Sequence, residues 1–244
     1  MTLLIGHRGA SACVPENTLA SFLKAVELGC DAVEMDVHLS QDGVPVVIHD
    51  DTVNRTTDGK GRVENLTLAQ LQLLDAGSGE CIPTLQEVLD ALRGKVRHVF
   101  IEIKDKALAV PVARLIAENI TRGWDYAMLP VICFNPETLE DVREANANIP
   151  LGVHLDPAPE TQRQPGVAKC RAESCLTDAE IALWRHKPKY LLPNIDTMPE
   201  GIVPLAHRYH AQVVAWTIRT KEQADRAVTL QVDMAITDDP GLFG

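Results

Sequence analysis

Short apolar runs alternate along the chain with stretches whose apolar residues recur roughly every three to four positions. The runs predict strands at 3–7, 31–39, 44–49, 96–104, 128–134, 151–155, 190–193, 212–218 and 234–237. The stretches between them predict helices at 18–28, 84–93, 107–122, 136–147, 178–185, 200–209 and 221–231. The first helix is clearly punctuated. Asn17 or Thr18 caps it, Leu19, Phe22, Leu23 and Val26 predict its buried face, and Gly29 ends it. Several strands are apolar throughout rather than alternating, which predicts a parallel sheet covered on both faces. Repetition of β then α over this length predicts a (β/α)8 barrel or a doubly wound sheet. Residues 52–82 hold no convincing strand and one short helix, at 68–74. They read as a small insertion after the 44–49 strand. The polar stretch at 156–176 predicts a loop.

Composition narrows the choice of partner. The 244 residues carry a net charge of −11, which argues against nucleic acid. No run of about 18 apolar residues is present, so no stable membrane insertion is expected. The start, MTLLIGHRGA, has no basic leader and enters a strand at once, so a cytoplasmic protein is expected. The six cysteines form no CxxC motif and read as reduced, packed residues, with a Cys170–Cys175 disulfide the lesser alternative.

Acids interrupt the apolar pattern in VEMDVHLSQDGVPVVIHDD, residues 33–51. Residues two apart share a strand face, so Glu34 and Asp36 point one way, as do Glu102 and Lys104. Functional groups of a parallel barrel gather at strand C-termini. His7 would end the first strand and Glu34 with Asp36 the second. His49 with Asp50 would end the third, and Glu102 with Lys104 the fourth. Three carboxylates at one mouth suit one hard divalent cation, Mg²⁺ or Ca²⁺. The alternative without metal pairs Glu34 with Lys104 and Glu102 with Arg8, but the acids outnumber the bases. Zinc fits less well, because no pair of histidines at helical spacing accompanies the acids. His7 and His49 suit general acid and base work near neutral pH. Arg8 can grip a phosphate or carboxylate, and Gly9 would let a ligand approach the backbone.

HRG at 7–9, PENT at 15–18, EMDVHLSQDGVPVVIHDD at 34–51, NRTT at 54–57, PTL at 83–85, EIK at 102–104 and AWTI at 215–218 together resemble the glycerophosphodiester phosphodiesterases. The resemblance runs in order from residue 5 to about residue 240. It implies one (β/α)8 TIM barrel over 1–244, with the insertion at about 52–82 after the HD strand. It implies metal ligation by Glu34, Asp36 and Glu102, acid/base catalysis by His7 and His49, and phosphate binding by Arg8 and Lys104. Trp216 matches a tryptophan near the substrate, with a packed barrel residue as the competing reading. Glu16 and Asn17 would shape the first loop, with orientation of Arg8 by Glu16 as the alternative.

The implied reaction turns a small glycerophosphodiester into glycerol 3-phosphate and an alcohol. A vicinal hydroxyl of the substrate or a water would be the nucleophile. A lysophospholipase D-like activity, an enolase-like proton abstraction and a non-catalytic phosphodiester-binding barrel are the rivals. ICFNP departs from the family's fifth strand, so Cys133 receives no role. His38 shares the face of Glu34 and Asp36 and could reach the pocket, but reads as a surface residue, and Asp50 or Asp51 reads as a group that holds a metal-bound water, orients a histidine or caps the loop. His98, His154, His186, His207 and His210 receive no role. The alcohol, the choice between Mg²⁺ and Ca²⁺ and the formation of a homo-oligomer stay open.

Overall fold

A computed structural model describes residues 2–155 and 175–243. The elements are β1 (Leu3–His7), α1 (Leu19–Glu27), β2 (Ala32–Leu39), β3 (Pro45–Val47), α2 (Leu68–Leu71), α3 (Leu85–Leu92), β4 (His98–Ile103), α4 (Ala109–Ile120) and β5 (Val131–Cys133). There follow α5 (Pro136–Ala145), β6 (Leu151–Leu155), α6 (Cys175–His186), β7 (Tyr190–Pro193), α7 (Ile202–Arg208), β8 (Gln212–Ile218), α8 (Lys221–Thr229) and β9 (Met234–Thr237). The sheet order β1-β9-β8-β7-β6-β5-β4-β2 is parallel throughout and closes through β1–β2 pairing. This is a (β/α)8 barrel, not an open doubly wound sheet. The loop expected at 156–176 lies outside the described residues, except for its last two positions, which begin α6.

Strand alternation sorts the side chains into two layers. On β2, Val33, Met35 and Val37 are buried in the large core that the helices cover, while Ala32 faces the barrel axis. On β4, Val99, Ile101 and Ile103 belong to the same outer core, and Phe100 to the axis. The axial layer is thin, with Ile5, Phe100, Ile132, Tyr190 and Leu192 among its members. The acids at 34, 36 and 102 continue that axial face upward.

One predicted strand has a different place. β3 is not a barrel strand: it pairs antiparallel with β2, Val47 opposite Val37 and Pro45 opposite Leu39. The third barrel strand is β4. A hairpin turn at 40–43 sends the chain back down, and Ile48 N donates to Asp36 O at 3.0 Å. His49 is thus returned to the level of Asp36 by the hairpin, not delivered by a barrel strand end. The segment that follows has its own apolar cluster, with Ile48, Val53, Val63, Leu71 and Ile82 among its members. Its helix is a single turn, capped at Thr67.

At the first helix, Thr18 is the cap and accepts from Ser21 N. Asn17 is turned away, to Asp36. Phe22 and Ala25 are buried, whereas Leu23, predicted inside, is 42% exposed. Gly9 is demanded by its backbone: φ is +86°, and a Cβ there would lie 2.5 Å from the Ser21 carbonyl carbon. Helix packing, not ligand approach, excludes a side chain at this position.

Candidate active site

Register decides which charged groups meet. His7 is level with Glu34 across β1–β2, and Asp36 with Glu102 across β2–β4. Glu34, Asp36 and Glu102 are all buried, and each offers an oxygen within 4.8 Å of the others'. Three acids so close repel one another unless cations intervene.

The cations are not shared evenly. Lys104 Nζ donates to Glu102 Oε1 and lies 2.7 Å from Asp36 Oδ1. Arg8 Nη1 donates to Glu16 Oε1 at 2.8 Å, and Arg8 Nε sits 3.2 Å from Asp36 Oδ2. That last contact is an ion pair without hydrogen-bond geometry. Asn17 Nδ2 also donates to Asp36, at 2.9 Å. Among the described residues Glu34 receives only the Arg8 backbone N–H, on Oε2, and its buried Oε1 has no hydrogen-bond partner. The Glu34–Lys104 and Glu102–Arg8 pairs of the metal-free alternative do not form as drawn.

The charges follow these contacts. Burial, then Asp36, then Glu102 push the Glu34 carboxyl well above its ordinary value. Burial would do the same to Asp36, but Lys104 and then Arg8 outweigh it and hold that carboxyl far below the usual range. Burial opposes charge on Lys104, yet Asp36 and Glu102 raise it above its ordinary value. An unpartnered buried carboxylate oxygen, facing two more acids, is the donor set a hard divalent cation takes.

Both predicted histidines are backed by a carboxylate. His7 Nδ1 donates to Asp238 Oδ1 at 2.5 Å, and His49 Nδ1 to Asp50 Oδ1 at 2.7 Å. Asp50 therefore does orient a histidine, while Asp51 is an exposed acid paired with Arg62 at 3.1 Å. With Nδ1 so engaged, each ring keeps Nε2 for other work. His7 Nε2 lies 3.9 Å from Glu34 Oε2. Glu16 orients Arg8 and also takes two hydrogen bonds from Arg55, which in turn grips Asp50. This network ties the insertion to the first loop.

A cavity of about 110 Å³ gathers His7, Arg8, Glu34, His49, Glu102 and Lys104 against one wall. Trp216 lies opposite, edge-on to Phe134 with centroids 5.4 Å apart, and its Nε1 donates to Leu192 O at 2.7 Å. The cavity shares His7 and Arg8 with a groove of about 470 Å³. It shares His49 and Lys104 with a wider one of about 800 Å³.

Sequence reasoning missed four residues here. Asp238 holds His7 and is itself gripped by Arg219 at 2.8 Å. Phe134 follows β5. His154, given no role, is buried in the cavity, and burial pushes it down to about 4. His38 is half-buried at the edge of the wider groove, where its Nε2 meets the His49 carbonyl at 3.1 Å. Cys133 is buried, and Asn135 N donates to its Sγ.

The model of the glycerophosphoryl diester phosphodiesterase family matches residues 7–242. A glycerophosphodiester phosphodiesterase of Caldanaerobacter subterraneus is 35% identical, over 98% of this chain and 95% of its own. One of Bacillus subtilis is 33% identical, over 99% and 85%. An Oleispira antarctica phosphodiesterase, solved with the product sn-glycerol-3-phosphate, superposes with a TM-score of 0.82 at 28% identity. That match covers 100% of this chain and 95% of the other. The matches place the chain among (β/α)8-barrel phosphodiesterases. It belongs to the glycerophosphoryl diester phosphodiesterase family.

Proposed function

We propose that the protein hydrolyses glycerophosphodiesters to glycerol 3-phosphate and an alcohol, with His7 and His49 as the acid/base pair. One observation carries this reading. Two histidines, each with Nδ1 on a carboxylate, face one small cavity with clustered acids and two cations. The unpartnered Oε1 of Glu34 supports a divalent cation, Mg²⁺ or Ca²⁺, on Glu34, Asp36 and Glu102. When bound, that cation supplies Lewis-acid polarisation of a phosphate oxygen.

The chain's own groups do the rest. Arg8 and Lys104 bind the phosphate and stabilise charge on its equatorial oxygens. One histidine takes the proton of the attacking hydroxyl and the other protonates the departing alkoxide. The substrate's vicinal hydroxyl is the favoured nucleophile, because it is already held beside the phosphorus; its attack expels the alcohol and leaves a cyclic phosphodiester, which a water then opens to glycerol 3-phosphate. Trp216 packs on the substrate. Lys104 is held in its charged form by two acids, which disfavours an enolase-like role as proton acceptor. We assign these functions to one barrel domain over 1–244. Among the described residues no helix is long and apolar enough to cross a membrane, and four cysteines are free. The free thiols support a cytoplasmic site of action.

The test is glycerol 3-phosphate release from glycerophosphocholine and glycerophosphoethanolamine, with Mg²⁺, with Ca²⁺ and with EDTA, for wild type and His7→Ala. Release that requires both the cation and His7 is expected. No release from folded, metal-loaded protein would overturn the reading.

A further inference from the structure

One histidine in the cavity is unused by this chemistry. His154 lies on β6, two residues after Gly152, and is 3% exposed. Both of its ring nitrogens are buried and, among the described residues, without a hydrogen-bond partner. Glu102 Oε2, at 3.6 Å from Nε2, is beyond hydrogen-bond reach. Phe134 stacks on the ring, with centroids 4.1 Å apart and planes at 4°. Trp216 meets it edge-on at 5.2 Å.

A neutral imidazole carries one donor and one acceptor. Leaving both unmade inside a protein is costly, so the ring points to a partner that the described residues do not supply. A hydroxyl, which donates and accepts, matches it. The walls of the cavity say which hydroxyl. β1, β2 and β4 present the charged groups, while Phe134, His154 and Trp216 form an aromatic wall across from them. A glyceryl group has both faces: C–H bonds for the rings and hydroxyls for polar atoms. The imidazole nitrogens are not among the ligand atoms that Glu34, Asp36 and Glu102 bring together.

We infer that His154 is a specificity-determining residue: a ring nitrogen hydrogen-bonds a hydroxyl of the substrate's glyceryl half, whose carbon skeleton packs on Phe134 and Trp216. The inference rests on the glycerophosphodiester reading, and the test separates the two. Isothermal titration of folded, metal-loaded protein compares glycerol 3-phosphate with inorganic phosphate. Wild type is expected to prefer glycerol 3-phosphate. His154→Phe keeps the stacking and removes both nitrogens, so the affinity ratio should fall roughly tenfold, the effect of one neutral hydrogen bond left unmade. His154→Gln restores a donor and an acceptor and should recover part of the ratio. An unchanged ratio in His154→Phe means that the ring only packs or only holds water, and overturns the inference. Should His154→Phe not melt cooperatively, His154→Leu is compared with His154→Gln on the same two outcomes. A wild type with no preference for glycerol 3-phosphate sinks the glycerophosphodiester reading itself.

Discussion

Replacing Glu34 by Gln should make the metal-free protein more stable while abolishing its response to metal. The side chain keeps its shape and loses its charge. Its oxygens lie within 4.8 Å of ligand oxygens on Asp36 and Glu102. Two unit charges at that spacing repel by about 3.5 kcal/mol at an effective dielectric of about 20. Glu34 meets two such neighbours, and Arg8 and Lys104 offset part of the repulsion. Uptake of a proton by Glu34 offsets more. A net gain of about 1–2 kcal/mol remains for the glutamine, and raises the melting temperature by roughly 2–8 °C for a domain of this size. A cation at 100 times its dissociation constant stabilises wild type by about 2.7 kcal/mol, roughly 5–10 °C. Glu34→Gln should show little of that rise. Thermal melts in EDTA, Mg²⁺ and Ca²⁺ read both effects. A variant that melts below wild type in EDTA would refute the account of Glu34 as an uncompensated charge. One that rises with metal as much as wild type would refute its place in a cation site.

His7→Asn and His49→Asn should each lower kcat by about 10²–10⁴ while leaving the melting temperature in EDTA within a few degrees of wild type. Asp238 gives an acid signature. Burial would raise its carboxyl, but the His7 hydrogen bond, the His7 charge and Arg219 hold it down to about 2, against an ordinary 3.8. The stability this provides, about 2 kcal/mol, is present above pH 4 and lost as pH falls through about 2. Urea midpoints of wild type and Asp238→Asn should therefore converge between pH 4 and pH 2, and a gap independent of pH counts against the pair. In native protein a thiol reagent should label the exposed Cys13 and Cys81, and spare Cys30 and Cys133, which burial pushes up to about 12 and about 11. Mass spectrometry of the labelled peptides checks this.

The barrel was legible because its strands are apolar on both faces and its helices on one. The error over β3 is instructive, since the signal against it was present. Ser40, Gln41, Asp42 and Gly43 are too few to carry a parallel crossover, which needs about a dozen residues. Four residues force a hairpin, and a hairpin places His49 beside Asp36 rather than at a separate strand end. The exposure of Leu23 has a different origin. Helix periodicity allows a face several residues wide, and the curvature of the packed barrel decides which of its edges reaches the sheet.

Within the site, legibility ends where geometry depends on closure. The spacing of Glu34, Asp36, Glu102 and Lys104 fixes their common face, because alternation is a local property. Which cation serves which acid is not local. It depends on the β2–β4 register, which sets Asp36 beside Glu102 and lets Lys104 bridge them. Glu34, level with His7 instead, is left with an empty oxygen. His7 and Asp238 stand 231 residues apart and meet because β9 pairs with β1. Asp238 follows its strand as His7 ends its own, so the rule that selected one applied to the other. His154 obeys it too: it shares a strand face with Gly152, one step nearer the mouth. An isolated histidine in an apolar strand has no motif to mark it, but its position on the axial face at a strand's C-terminal end does. The rule that finds site residues in such a barrel is therefore parity and strand end together, applied to every strand, before any motif is sought.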